Sequence, residues 1–206
     1  MEKKRKIRTY GGYFEAFMET LTEKEQDKIQ YGLLLLKTQE RLSTKFVKFV
    51  QDGVFELRTE YNGNIYRVFF IFDDGNIVVL FNGFQKKSQK TPGSEIDKAL
   101  KIKEDIMQIN NHQIVDYDAV LDAKFGAEGT PERAEAEEKA YAFYTGQIIE
   151  DARKKAKITQ AELARRIGSD RSYISRVESG QTEPKVSTFY RIMNALGCRI
   201  EFSMSL

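Results

Sequence analysis

The segment from residue 158 to residue 197 constrains the fold more than any other part of this 206-residue chain. Thr159 stands where it can cap a first helix, and Gly168 stands where that helix would end. A second short helical pattern follows directly, with Ser169 or Asp170 as its cap. Two short helices joined by a glycine-containing turn form a helix-turn-helix. A helical bundle without DNA function has the same periodicity, but this order of caps and glycines favours the helix-turn-helix.

The stretch resembles the lambda-repressor-like family of transcriptional regulators of the Xre type. The shared pattern is TQAELA, a glycine turn, SYISRVESGQTEP and a helix similar to STFYRIMNALG. In such regulators the second helix of the motif enters the major groove, and its N-terminal residues contact base edges. The resemblance therefore implies an operator-DNA interface in which Gln160 contacts phosphate or braces a recognition side chain, and Lys185 adds a phosphate contact. The implied recognition residues are Arg171, Ser172, Tyr173, Ser175 and Arg176.

Two of these residues have a structural interpretation that the sequence leaves open. Tyr173 fits a partly buried aromatic residue, and Arg176 fits an ion pair with Glu178 or Glu150. Single helix-turn-helix modules usually bind DNA as dimers on two half-sites. We therefore expect a homodimer through this part of the chain, with the alternating residues 198–205 as a candidate dimer strand.

The N-terminal half has a different pattern, in which helical spacing gives way to the two-residue period of strands. The turn signals NGN and DDGN separate three alternating segments, which predicts an antiparallel meander. A basic loop and a further helix follow the meander. The predicted strands are 6–11, 53–61, 65–72 and 77–84, and the predicted helices are 13–20, 24–42 and 94–106.

This order of elements resembles the RelE/HigB toxin superfamily, and its phage-derived HigB-like branch in particular. The resemblance is carried by GVFELR (53–58), YRVFF (66–70) and LFNGFQKKSQKTP (80–92), followed by an EI..AL helix start (95–100). It implies a RelE-like antiparallel sheet with N-terminal helices. With the all-α lambda-repressor-like domain behind it, the chain is expected to be α+β. The implied activity is that of a ribosome-dependent, metal-independent mRNA endonuclease.

Arginine and lysine must supply most of the chemistry in such an enzyme, because the single histidine, His112, lies outside the predicted sheet. Attack by a 2′-hydroxyl needs a base, charge stabilisation at the phosphorane and a proton for the leaving oxygen. Arg58 and Arg67 flank a predicted hairpin turn, and the resemblance implies that both contact the scissile phosphate. Glu56 is the nearest candidate base, although a pair with Arg58 accounts for it equally.

The basic loop supplies the remaining candidates. Lys86 is a candidate acid or charge stabiliser, with Lys87 and Lys90 as substitutes or as contacts to ribosomal RNA. A solvated basic loop that binds RNA without chemistry is the open alternative. Tyr66 and Phe84 are candidates for stacking on RNA bases, and each also fits a core position.

Charge divides the chain into three parts that the net charge of +2 conceals. Residues 1–106 carry 19 basic and 16 acidic side chains, residues 107–152 carry 3 and 10, and residues 153–206 carry 11 and 5. Basic ends suggest nucleic-acid binding, and the acidic stretch 116–151 suggests a segment that lies against the basic N-terminal half. We predict a toxin domain over 1–106, a linker with a short helix over 107–131, and an antitoxin domain over 132–206.

The sequence excludes several other classes of protein. With only one cysteine and one histidine, the sequence disfavours a metal site built from clusters of these residues. No cofactor is expected. No apolar run reaches the roughly 20 residues of a membrane span, so we expect a cytoplasmic protein without membrane contact. The interpretation that fits best is a toxin and its antitoxin in one chain. The alternative is a transcriptional regulator whose first half is an inactive RNA- or protein-binding module. A structural interaction protein is a third interpretation, which the basic loop and Arg67 disfavour.

Overall fold

A computed structural model describes residues 5–39, 42–73, 77–86, 92–108 and 114–201. Its contacts divide the chain into two compact units, Met1–Glu137 and Glu138–Leu206. In the described part of the chain no helix combines the length and the apolar character that a membrane crossing requires. The elements in order are β1 (Lys6–Tyr10), α1 (Tyr13–Glu19), α2 (Glu23–Thr38), β2 (Val47–Gln51), β3 (Val54–Tyr61), β4 (Asn64–Asp73), β5 (Ile77–Lys86), α3 (Gly93–Gln108), β6 (Ile114–Asp116), α4 (Asp118–Phe125), α5 (Pro131–Lys155), α6 (Gln160–Ile167), α7 (Arg171–Glu178) and α8 (Val186–Ala195).

The first unit is built on one sheet with the strand order β2-β3-β4-β5-β1-β6. The meander of β3, β4 and β5 is antiparallel, as predicted, while β1 pairs with β5 in parallel and with β6 in antiparallel orientation. Helix α2 packs on one face, where Gly32 lies close to the Leu57 side chain. Helix α3 packs on the other face, where Ala99 and Ile102 join Phe69 in a buried cluster. The predicted α+β class is therefore confirmed, with a largely antiparallel sheet and N-terminal helices followed by a helical domain.

Local signals explain where the helices of this unit begin and end. The predicted capping box is present, since the Thr22 backbone N–H donates to the Glu25 carboxylate at 2.8 Å. Helix α2 ends at Thr38 rather than at residue 42, because Gln39 takes an extended conformation. Helix α3 begins one residue before the predicted cap, because the carbonyl of Pro92 accepts from the amides of the first turn.

The structure differs from the predicted division of the chain. Residues 107–131 were predicted to be a linker with a short helix, but β6 pairs with β1 and the α4 residue Leu121 is fully buried. The contacts therefore place residues 114–137 in the first unit. The assignment of 1–106, 107–131 and 132–206 as functional domains stays a prediction.

The second unit is a small helical domain whose core lies between α5, α6, α7 and α8. Ile149, Leu163, Ile174 and Ile192 form its fully buried centre. The predicted strand over 198–205 does not appear in residues 198–201, and residues 202–206 lie outside the described part.

Candidate functional site

Two arginines and a phenylalanine form a row across the middle of the sheet. Arg58 on β3 lies opposite Arg67 on β4, and Arg67 lies opposite Phe84 on β5. Residues that pair directly across strands share a face of the sheet. The predicted juxtaposition of the two arginines is therefore present, on the face that carries α3.

A single buried carboxylate joins the two arginines. The Arg58 Nε donates to Glu56 Oε1 at 2.6 Å, and the Arg67 Nη1 donates to Glu56 Oε2. The Arg67 side chain is only 7% exposed, whereas the Arg58 side chain is 26% exposed. Glu56 therefore pairs with both guanidinium groups, which agrees with the alternative interpretation that this residue pairs with Arg58. Arg58 is the more accessible of the two cations.

Phe84 and Tyr66 occupy opposite faces of the sheet. The Phe84 ring is half-buried and lies 5.7 Å from the Phe69 ring on the arginine face. Tyr66 is buried beneath α2, and its hydroxyl donates to the Glu25 carboxylate. Burial and this hydrogen bond raise the pKa of Tyr66 to about 12. The structure corrects the predicted base-stacking role of Tyr66, because its ring is enclosed in the core.

The lysines of the basic loop are only partly described. Lys86 is the last residue of β5, and its backbone pairs with Ile65, two residues from Arg67. Lys87 and Lys90 lie outside the described residues. The backbone thus brings the start of the basic loop close to the arginine row.

An acidic segment is fixed to the first unit by side-chain contacts that sequence reasoning missed. Lys37 on α2 forms ion pairs with Asp118 and Glu128, both at 2.8 Å, and Arg8 on β1 pairs with Asp116 at 2.6 Å. Burial lowers the pKa of Lys37, but the hydrogen bonds to the two carboxylates outweigh burial and raise it. The only sequence signal was the acidic character of the stretch, since nothing indicated which cations it meets.

Aromatic and polar contacts complete the attachment of this segment. The Tyr117 ring meets Phe14 edge-on at 5.1 Å, and its hydroxyl accepts from the Gln30 amide at 3.0 Å. The Phe125 ring packs near Tyr31 on α2. The segment therefore lies at the β1 edge and on the α2 side of the sheet, away from the arginine row.

The helix-turn-helix forms in the second unit as the sequence predicts. The Thr159 hydroxyl accepts from the Glu162 amide at 3.1 Å, and Asp170 rather than Ser169 caps the next helix by accepting from the Tyr173 amide at 2.7 Å. A hydrogen bond from Ser172 and the bond from the Tyr173 amide lower the pKa of Asp170. Gly168 adopts the left-handed conformation that turns the chain between the helices.

The predicted recognition residues line the outer surface of α7. Arg171, Ser172, Ser175 and Arg176 are exposed, and Tyr173 is half-buried against the domain core. The Arg176 Nη1 donates to the Ser172 hydroxyl at 3.1 Å. This leaves a row of polar side chains on a helix face that no other part of residues 138–201 covers. Lys185 is exposed immediately before α8.

A buried ion pair fixes the recognition helix to the helix before the motif. Arg153 on α5 donates through two nitrogens to Glu178, and the Gln160 amide donates to the same carboxylate at 2.9 Å. The hydrogen bond to Glu178 raises the pKa of Arg153. Arg153 therefore forms the ion pair with Glu178 that the sequence suggested for Arg176. Gln160 braces the end of α7 in this structure.

Comparison with known proteins agrees with these two units. Residues 16–104 match the family model described as phage derived protein Gp49-like, and residues 149–203 match a helix-turn-helix model. A search of solved structures finds the restriction-modification controller protein C.AhdI from Aeromonas hydrophila, at 28% identity, 31% of this chain, 91% of that chain and a TM-score of 0.30. No curated protein matches the chain.

Proposed function

Because the chain joins a Gp49-like domain of the RelE/HigB toxin type to a helix-turn-helix domain of the Xre type, we propose that it is a toxin and its antitoxin in one polypeptide. The first unit cleaves mRNA on the ribosome, and the second neutralises it and represses transcription by binding operator DNA. A protein that cleaves ribosome-bound mRNA and binds operator DNA acts in the cytoplasm. The observation that carries the proposal is the Arg58–Arg67 pair held by Glu56 on one face of a Gp49-like sheet.

The chemistry follows from the charges of this row. The 2′-hydroxyl loses its proton to solvent water as its oxygen attacks the phosphorus, because Glu56 is paired with both arginines. The partly exposed Arg58 stabilises the negative charge that develops on the phosphorane, and the buried Arg67 adds positive charge beneath it as the P–O5′ bond breaks. Arg58 is the more exposed of the two cations that meet Glu56, so its guanidinium group is the positive charge offered to the phosphate. Lys86, at the end of β5, supplies the proton for the leaving 5′-oxygen. No metal ion is required by this scheme.

The acidic segment acts as an anchor in this proposal. Asp116, Asp118 and Glu128 meet cations of the first unit, which supports the expected electrostatic contact between the acidic stretch and the basic half. This contact keeps the segment that leads to the helix-turn-helix bound to the toxin. The covalent link also gives the inhibitor a high effective concentration.

A regulator with an inactive first half is the second candidate, and one observation favours it. Arg67 is almost fully buried and already paired, so it contacts RNA only after a rearrangement of the Glu56 cluster. In that case the first unit binds RNA or protein without cutting.

Mapping of mRNA ends by primer extension in cells separates the two candidates. The induced chains are residues 1–106, residues 1–137 and the full chain, each with and without Arg58→Ala. Residues 1–137 match the compact unit and retain β6, so inactivity of 1–106 alone indicates misfolding. Cuts that depend on Arg58 support the enzyme. Soluble, folded fragments that leave all mRNA intact refute it.

DNA binding is tested with gel shifts at fixed salt on the region upstream of the gene. We expect Arg171→Ala to weaken binding by about 1–3 kcal/mol if it reads a base. Arg165→Ala is the matched control, because Arg165 is exposed and paired with Glu162 at 2.8 Å. Equal affinity of the two variants removes Arg171 from the interface.

A further inference from the structure

A groove runs beside the arginine row at the C-terminal end of β5. It has a volume of about 490 Å³ and lies between α1, the last residues of β5 and α3. Phe84 lines the groove and is the direct partner of Arg67 across the strands. Neighbouring strands lie about 4.8 Å apart, so the groove begins one strand away from Arg67 and two strands away from Arg58.

The groove exists because α1, rather than β1, covers this end of β5. Strand β1 pairs with β5 only over residues 77–80, and the Phe17 ring then crosses the strand at Gly83. A Cβ at Gly83 would lie 2.1 Å from the Phe17 ring, so only glycine allows this approach. The opening between the helices is therefore specified by the sequence.

The side chains around the groove combine an aromatic ring, a cation and an amide. Tyr13 is 38% exposed, and the Lys98 Nζ lies 5.3 Å from the centroid of its ring. At the floor, buried Asn82 donates to Glu95 at 2.8 Å, while its carbonyl oxygen has no hydrogen-bond partner among the described residues. Exposed Gln85 adds a second amide at the rim.

This combination matches the chemistry of a nucleotide. Bases stack on aromatic side chains and form hydrogen bonds with amides, while lysine binds phosphate. Pockets for small ligands have volumes of roughly 300–1,000 Å³, which includes this groove. We infer that the groove is a nucleotide subsite, in which Tyr13 stacks on a base and Lys98 binds its phosphate. In the proposed ribonuclease it holds the nucleotide next to the phosphate at Arg58, and this placement rests on the proposed function.

The test measures binding of adenosine 5′-monophosphate to the full chain by amide chemical shifts in NMR. Ribose 5-phosphate serves as the ligand without a base. We expect shifts at residues 13–20 and 82–85, and weaker or no shifts there with ribose 5-phosphate. Shifts confined to other residues, or equal binding of the two ligands, overturn the inference.

Two variants separate the roles within the groove. Lys98→Glu should weaken binding of the nucleotide by about tenfold, because it replaces a charge-assisted hydrogen bond with repulsion. Lys101→Glu makes the same charge change at an exposed site of α3 and should change binding less than about twofold. Tyr13→Leu should weaken nucleotide binding roughly fivefold or more through lost stacking, and leave ribose 5-phosphate unaffected. Equal effects of the two lysine variants contradict the assignment of Lys98.

The inference and the proposed function can fail separately. If the nucleotide binds in the groove but no fragment cuts mRNA, the subsite stands and the ribonuclease proposal falls. If mRNA is cut equally well by residues 1–137 with the parent sequence, with Lys98→Glu and with Tyr13→Leu, the ribonuclease stands and the subsite falls.

Discussion

Replacing Lys37 with methionine removes the cation that binds the acidic segment to α2. Met keeps most of the apolar length of the lysine side chain, so the change isolates the charge. The Lys37 side chain is 7% exposed, and its partners Asp118 and Glu128 are 18% and 41% exposed. The substitution therefore leaves one largely buried carboxylate without its counter-ion.

The size of the effect follows from this burial. Breaking a fully buried ion pair from one side costs about 3–5 kcal/mol. Asp118 retains a hydrogen bond from the Ile7 amide at 3.3 Å, and Glu128 faces water, so we expect about 2–3 kcal/mol. Lys124→Met is the matched control, because Lys124 pairs with Asp27 between the same segment and α2 but is 28% exposed. An exposed pair contributes about 0–1 kcal/mol.

Hydrogen exchange followed by mass spectrometry measures both variants in the full chain. Peptides that cover residues 114–125 report the free energy of opening of the segment, and peptides from α6 and α7 report the second unit. We expect faster exchange in 114–125 for Lys37→Met, little change for Lys124→Met and no change in α6 and α7. Equal exchange in the two variants would refute the assignment of the attachment to Lys37.

Three further predictions rest on other contacts. Because the pKa of Lys37 is raised on folding, its stabilising effect is present below pH 10.5 and lost as the pH rises through the folded value. The free energy of unfolding of the first unit in urea should therefore fall as the pH rises through this range, and fall less in Lys37→Met. Glu56→Gln removes the buried carboxylate charge that joins the two guanidinium groups and should lower the free energy of unfolding of the first unit by about 3–5 kcal/mol in a urea titration. A change below about 1 kcal/mol would contradict the pairing. Gly146→Ala places a Cβ 2.3 Å from the Val177 carbonyl oxygen and should destabilise the second unit by about 1–3 kcal/mol in thermal unfolding. Gly93→Ala, where the Cβ meets open space, should be neutral. Similar melting temperatures of the two variants would contradict this packing.

Local signals in the sequence predict the meander and the helix-turn-helix because their information lies within a few residues. Thr159, Gly168 and Asp170 each act on an adjacent backbone group, so the motif can be recognised without any tertiary contact. The Arg58–Arg67 pair is likewise set by a short hairpin, which fixes the register of its strands. These features could be predicted before the structure.

The missed features depend on partners that are distant in sequence. Strand β6 has only three residues and pairs with β1, more than 100 residues earlier. Lys37 meets Asp118 across 81 positions, so neither residue indicates the other. Tyr66 lies in an alternating strand, and the sequence did not show which face α2 would cover. Strand β2 forms an exposed edge, and its apolar residues do not mark a buried face.

The position of β1 has a consequence for synthesis of the chain. This strand is synthesised before the other strands of the sheet, yet its hydrogen-bonding partners are residues 77–80 and 114–116. A nascent chain that stops before residue 114 would keep one edge of β1 open to pairing with other chains. β1 therefore gains its second neighbouring strand only after translation has passed the Gp49-like region. The segment that leads into the helix-turn-helix unit follows β6 directly in the sequence, so the last strand of the sheet and this segment are synthesised in succession.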